Sequence, residues 1–194
     1  MIFWQSGLLR IGISHFNHDR EFIWKARGFD SVVDMNNAII ERHNAVVAPD
    51  DDVYVLGDLC LGGAGMTQVN QALISQMNGR IHVVLGNHDT PARAEMYTLF
   101  CDNVVEVVYA TMIHYRGYHF YLSHYPTLTA NLEKESLKQC TINLYGHTHQ
   151  YSNFYEGIPF MYHVGCDSHN CTPVLLDDAI EEMKQEVIKC KEQL

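Results

Sequence analysis

Basic residues are scarce in this sequence. Thirteen lysines and arginines face twenty-three aspartates and glutamates, a net charge of −10 with histidine neutral. Long nucleic acid is held by lysine and arginine neutralising its phosphates, so this composition argues against it as a partner. An acidic chain that handles phosphate needs bound cations instead. Also missing is any CxxC pair. Of the six cysteines at 60, 101, 140, 166, 171 and 190, only 166 and 171 are close, and no second pair completes a zinc site. Met1–Trp4 does not open a basic start followed by an apolar core, so no secretory leader is expected. Reduced thiols and a cytoplasmic location follow as the simplest expectation. No apolar run is long enough to cross a bilayer. No linker, repeat or low-complexity stretch divides the 194 residues, so one domain over 1–194 is expected.

Glycine-bounded apolar runs are what the sequence has in quantity. Val53-Tyr-Val-Leu-Gly-Asp58 and Ile81-His-Val-Val-Leu-Gly-Asn87-His88-Asp89 read as two buried strands of a parallel sheet, each handing polar residues to its C-terminal loop. Open α/β sheets place their ligands there. Ser123-His124 and Gly146-His147-Thr148-His149 follow two further apolar strands in the same way. Around these, a first strand is predicted over 8–13, with an apolar piece at 2–4. A helix is predicted over 32–43, capped by Asp30 or Ser31, and another over 67–77 with Val69, Leu73 and Met77 inward. Thr90 and Pro91 should open a helix to about 100. Strands are expected at 104–109, 111–115 and 118–122, the last two joined at Arg116-Gly117. A helix plus loop through 138, strands at 142–145, 160–164 and 173–176, and a helix over 177–190 complete the reading. That last helix should place Ile180, Met183, Val187 and Ile188 on one side. Gly62-Gly-Ala-Gly65 lacks the Lys and Ser/Thr of a P-loop and reads as a strand-to-helix connection.

Two divalent ions that clamp a phosphoryl group need a bridging carboxylate, with imidazoles and a carboxamide to complete their shells. Asp58, Asn87, His124, His147 and His149 are those groups, each near a strand end. Any one of these histidines alone reads as an ordinary core or surface side chain; GD, GNHD and GHTH together do not.

This combination resembles the calcineurin-like metallophosphoesterases, whose pattern is D-x-H, GD, GNHD, a lone H and GHxH. The small, cap-free bacterial and phage-type members come nearest, and the resemblance runs over nearly the whole chain. It implies an α/β fold, a four-layer α/β/β/α sandwich of two mixed sheets. Two divalent ions are implied, manganese first, with iron, zinc or nickel as alternatives, because oxygen and nitrogen ligands do not choose among them. Asp58 would bridge, Asn87, His124 and His147 would complete the second position, and His15 and His149 would belong to the first. His88 would act on the substrate phosphate, with Asp89 orienting it from behind. Asn87, His18 and Arg93 are candidate substrate contacts, and Tyr125 and Arg116 lesser ones. Asp167 is a candidate hydrogen-bond partner for a ligand histidine.

The implied reaction is hydrolysis of a small phosphate ester, a diester in preference to a monoester, by a metal-activated hydroxide. One position departs from the pattern: Ile13 stands where the family has the aspartate of D-x-H. Asp19 folding back, Asn17 or hydration would have to fill that place. The alternative reading is therefore a non-catalytic or weakly active scaffold or binding protein with a degraded first metal site, a route the retromer scaffold subunit of the superfamily exemplifies. A nuclease is a more distant alternative. Two aromatic runs, 154–155 and 160–162, suit a homo-oligomer interface or a core equally.

Overall fold

The computed structural model describes residues 8–129 and 136–192. The apolar piece expected at 2–4, and part of the helix plus loop expected through 138, lie outside them. The chain forms two five-stranded mixed sheets. In the first, β1 (Leu9–Gly12), β2 (Asp52–Leu56), β3 (Arg80–Val84) and β4 (Val104–Val108) run parallel in that order, and β10 (Val174–Leu175) lies antiparallel beside β1. In the second, β5 (Ala110–Tyr115), β6 (Tyr118–Ser123), β7 (Thr141–Tyr145), β9 (Ile158–His163) and β8 (Phe154–Tyr155) follow in that order. Within it β6, β7 and β9 are parallel, and both edges are antiparallel.

Alternation of side chains along the strands assigns the layers. Tyr54 and Leu56 of β2 join Phe120 and Leu122 of β6 and Ile142 and Leu144 of β7 in a core between the sheets. Val53 and Val55 point the other way. There they meet Met35 and Ile39 of α2 (Val32–Val46), Ile74 of α3 (Thr67–Ile74) and Met96 and Tyr97 of α4 (Pro91–Phe100). Fully burying an aliphatic side chain of this size stabilises by roughly 1.5–3 kcal/mol, which is why the two cores fix the sheet register. Ile180 and Met183 of α5 (Leu176–Glu192) enter the inter-sheet core. Two mixed sheets flanked by helices form the expected α/β/β/α sandwich.

Ser31 caps α2 through its Oγ, which accepts from the Asp34 N–H at 3.1 Å, and Thr90 caps α4 in the same manner. The expected helix over 67–77 is shorter; Met77 is buried and Leu73 packs against the same core as expected, but Val69 does not. Val69 is 45% exposed, while Asn70 and Ile74 are buried. Asn70 is drawn inward because its amide donates to the Leu61 carbonyl at 2.9 Å and its oxygen accepts from Asn17 at 2.6 Å. On α5, Ile188 is similarly outside the core, half exposed. Two elements too short for a periodicity signal, α1 (Glu21–Trp24) and β8, were not anticipated. Phe160, Met161 and Tyr162 are buried within the one chain, so core packing accounts for that aromatic run. All six cysteines are free thiols. Among the described residues no helix is long and apolar enough to cross a membrane.

Candidate metal centre

Every candidate ligand lies in a loop at the C-terminal end of a parallel strand: His15 after β1, Asp58 after β2, Asn87 after β3, His124 after β6, and His147 and His149 after β7. The two sheets bring these ends together. Four of these residues take left-handed backbone conformations, with φ of 55° at His15, 52° at Asp58, 65° at His147 and 48° at His149. Non-glycine residues seldom adopt that region, and its concentration in one place marks loops held by their surroundings.

Asp58, His124 and His147 offer ligand atoms that all lie within 4.8 Å of one another, the one such cluster found among the described residues. His124 Nδ1 lies 2.9 Å from the Leu56 carbonyl oxygen. A carbonyl only accepts, so the imidazole proton sits on Nδ1 and the Nε2 lone pair faces the cluster. That Nε2 is 2.8 Å from Asn87 Oδ1, 3.1 Å from His147 Nδ1 and 3.3 Å from Asp58 Oδ2. Gly57, at φ +92°, allows this approach; a Cβ there would collide with the His124 ring. Asp58 turns its other oxygen to the His88 N–H at 2.8 Å. Burial pushes the Asp58 carboxyl up, but the His15 ring facing it at 3.7 Å, the nearby His124 and the His88 N–H outweigh it and hold it at about 2. The buried lone pairs and a carboxylate ionised across the neutral range fit a divalent cation. Asp58, Asn87, His124 and His147 would hold it.

At the first position the donor set is different. His15 Nε2 is buried, 3.7 Å from Asp58 Oδ2, and has no hydrogen-bond partner among the described residues. Its Nδ1 faces Arg27 Nη2 at 3.4 Å. Burial lowers the His15 pKa to about 3, against a pull upward from Asp58 and with further lowering by the Arg27 charge. His149 stacks on His15 with ring centroids 4.8 Å apart, and its Nδ1 lies 3.0 Å from Asp167 Oδ2, as the sequence suggested for Asp167. Arg27 binds the same carboxylate through Nε at 2.9 Å and Nη2 at 3.0 Å. Ile13 is buried, and its side chain fills the space that a Cβ on Gly146 would need. Neither side chain offered as a substitute for the absent aspartate is in place. Asp19 is exposed, and the Asn17 side chain is bonded to Asn36 and Asn70 in a buried network. Among the described residues the expected two-ion centre is thus reduced to a single candidate cluster, Asp58, His124 and His147, and no full second position accompanies it.

The rim carries the remaining candidates. Asn87 and His88 are exposed, and the His18 ring lies 6.3 Å from His88 and 5.8 Å from His149. Tyr125 packs edge-on to His147, with ring centroids 4.7 Å apart. Arg93 donates to the carbonyls of His88 and Gly62, so its guanidinium braces two loops. Asp89 is turned to the backbone: Oδ2 accepts from the Asp58 N–H at 2.7 Å and the Gly86 N–H at 2.8 Å, and Oδ1 accepts from the Tyr97 hydroxyl at 2.6 Å. Arg116 pairs with Asp177 on the hairpin turn, away from these loops. Sequence reasoning missed Arg27 and Tyr97. Neither sits in a motif, and only the packing of their segments against the ligand loops reveals them.

Residues 31–173 match the calcineurin-like phosphoesterase superfamily domain. That span contains Asp58, His124 and His147, and Asn87 beside them. The chain is 30% identical over 176 residues to the uncharacterized protein MJ1445 of Methanocaldococcus jannaschii, covering 86% of this chain and 85% of that protein. Its fold is similar to the crystal structure of AQ665, a protein of unknown function from Aquifex aeolicus. That likeness has a TM-score of 0.66 at 20% identity and covers 91% of this chain and 99% of that one. The matched span, the sandwich of two mixed sheets and the carboxylate–imidazole cluster at its strand ends agree: the chain belongs to the calcineurin-like phosphoesterase superfamily.

Proposed function

We propose that this chain binds a divalent ion and a small phosphate ester, preferring diesters, and hydrolyses the ester weakly because its first metal position is degraded. It would act as one domain over residues 1–194, in the cytoplasm, as a small cap-free bacterial or phage-type member of the superfamily. The convergence of Asp58, Asn87, His124 and His147 carries this reading. Manganese is the first choice of ion, with iron, zinc or nickel as alternatives. When bound, such an ion supplies positive charge for the phosphoryl oxygens and activates water near neutral pH.

The protein's own groups divide the remaining work. His88 is exposed at the rim, while its backbone N–H is fixed on Asp58; this suits a ring that meets the substrate and gives a proton to the leaving oxygen. His18 offers a second imidazole to the phosphate. Asp89, with Tyr97 behind it, would act by holding the Asp58 and His88 loops in register. A second reading, a binding protein or scaffold without turnover, is favoured by one observation: Ile13 leaves the first position without a carboxylate of its own. The net charge of −10 disfavours a nuclease.

The deciding assay adds manganese to metal-stripped protein with bis(p-nitrophenyl) phosphate as substrate. Slow turnover that depends on manganese and is lost in Asp58→Asn supports the proposal. Manganese binding without turnover of mono- or diesters, or no manganese binding at all, overturns the proposal and hands the reading to the scaffold.

A further inference from the structure

The histidines of this centre differ in which ring nitrogen carries the proton, and the neighbours of Nδ1 decide it. His124 Nδ1 faces the Leu56 carbonyl, and His149 Nδ1 faces the Asp167 carboxylate at 3.0 Å. Both neighbours accept, so both rings keep the proton on Nδ1 and leave Nε2 with a lone pair. His15 is the exception. The group facing its Nδ1 is Arg27 Nη2, at 3.4 Å. A guanidinium only donates and stays charged, so the lone pair of His15 belongs on Nδ1 and the proton on Nε2. That proton lies on the side of Asp58 Oδ2, with Nε2 3.7 Å from the oxygen and no hydrogen bond between them.

Arg27 is not a loose surface charge. Its side chain is 3% exposed and is held on Asp167 by two hydrogen bonds, through Nε and Nη2. It lies behind both imidazoles of the first position, 3.4 Å from one Nδ1 and 3.5 Å from the other. Ile13 supplies no carboxylate to offset it, and Asn17 and Asp19 are engaged or oriented elsewhere.

We infer that Arg27, together with Ile13, makes this a one-ion centre: Arg27 is a positioning residue that fixes His15 in the tautomer unable to take a metal and leaves its own charge beside the first position. A cation there would meet one free imidazole lone pair, on His149, and a carboxylate already shared with the complete cluster. The inference rests on the reading that Asp58, Asn87, His124 and His147 hold an ion.

Titrating the metal-stripped full-length chain with manganese, and following bound manganese by calorimetry and its electron paramagnetic resonance spectrum, tests this without any assay of turnover. The wild-type chain should take one manganese per chain with the spectrum of an isolated ion, and any second ion should bind roughly 100-fold more weakly. Arg27→Gln removes the charge and presents a carbonyl that can accept from His15 Nδ1, and Ile13→Asp restores a carboxylate. Each should strengthen the second binding step by about tenfold or more, with the spectrum of a coupled pair of ions. Two ions of similar affinity in the wild type would overturn the inference and leave the proposed function standing. No ion would overturn both. An unchanged count of one in both folded variants would also overturn the role given to Arg27 and Ile13. Should Arg27→Gln fail to fold, because Asp167 loses its partner, the wild-type count and Ile13→Asp still decide it.

Discussion

His124 and His15 occupy equivalent places, each an imidazole presented to Asp58 from the end of a parallel strand, one in either sheet. Their Nε2 atoms lie 3.3 Å and 3.7 Å from the same carboxylate oxygen. Behind His124 stands a backbone carbonyl; behind His15 stands a guanidinium. The difference shows that a ligand residue is not defined by its identity or its aim. The group on the far side of the ring decides whether the near side offers a lone pair or a proton.

The strongest way to break the comparison is to remove the carboxylate that both rings face. Asp58→Asn should lower manganese affinity by more than roughly 100-fold, since it takes the only anion from the cluster; calorimetry on the folded variant reads this directly. Separating the two rings comes next. His124→Gln should cost about 100-fold in affinity for the first manganese bound, and His15→Gln less than about tenfold. Equal losses would mean that both rings serve the same ion.

A change of backbone should have a smaller, structural effect. Gly57→Ala places a Cβ against the His124 ring at a φ of +92°, and should destabilise by about 3 kcal/mol through combined strain and collision. A urea midpoint unchanged by the substitution would show that the loop relaxes freely.

Acid should reveal the same asymmetry. His15 has a pKa of about 3 in the folded chain, chiefly through burial, against 6.5 unfolded. The unfolded chain therefore takes the proton first, so stability falls as pH drops from 6.5 towards 3. By pH 5 this amounts to about 2 kcal/mol relative to pH 7, and His15→Gln should remove that part of the loss. Equal slopes of stability against pH in the two proteins would contradict it. The smallest effect concerns the brace beneath the complete cluster. Tyr97→Phe deletes one of three hydrogen bonds to Asp89 and should cost about 1 kcal/mol, read from the urea midpoint, with manganese affinity nearly kept.

Much of this architecture was legible in the sequence for specific reasons. The run ending at Asp58 is buried on both faces, and the one ending at Asn87 is apolar but for His82, as strands largely covered on both sides must be. Ser31, Thr90 and Pro91 carry their helix starts in their own chemistry. Local pattern failed where a long-range partner overrode it. Asn70 is drawn inward by Leu61 and Asn17 and Val69 is left outside, which the four-residue spacing of Val69, Leu73 and Met77 could not register.

The sequence by itself carried the apolar strands and the short motifs at their ends, which are local properties of the chain, and the resemblance built on those motifs implied the sandwich and the candidate ligands. It also exposed the departure at Ile13. Tertiary structure alone decided what surrounds that position. Arg27 lies in an unremarked loop and Asp167 follows β9; they are 140 residues apart in sequence, yet pair behind His15 and His149. The direction of a proton on a buried imidazole depends on such distant neighbours, and no local pattern encodes it.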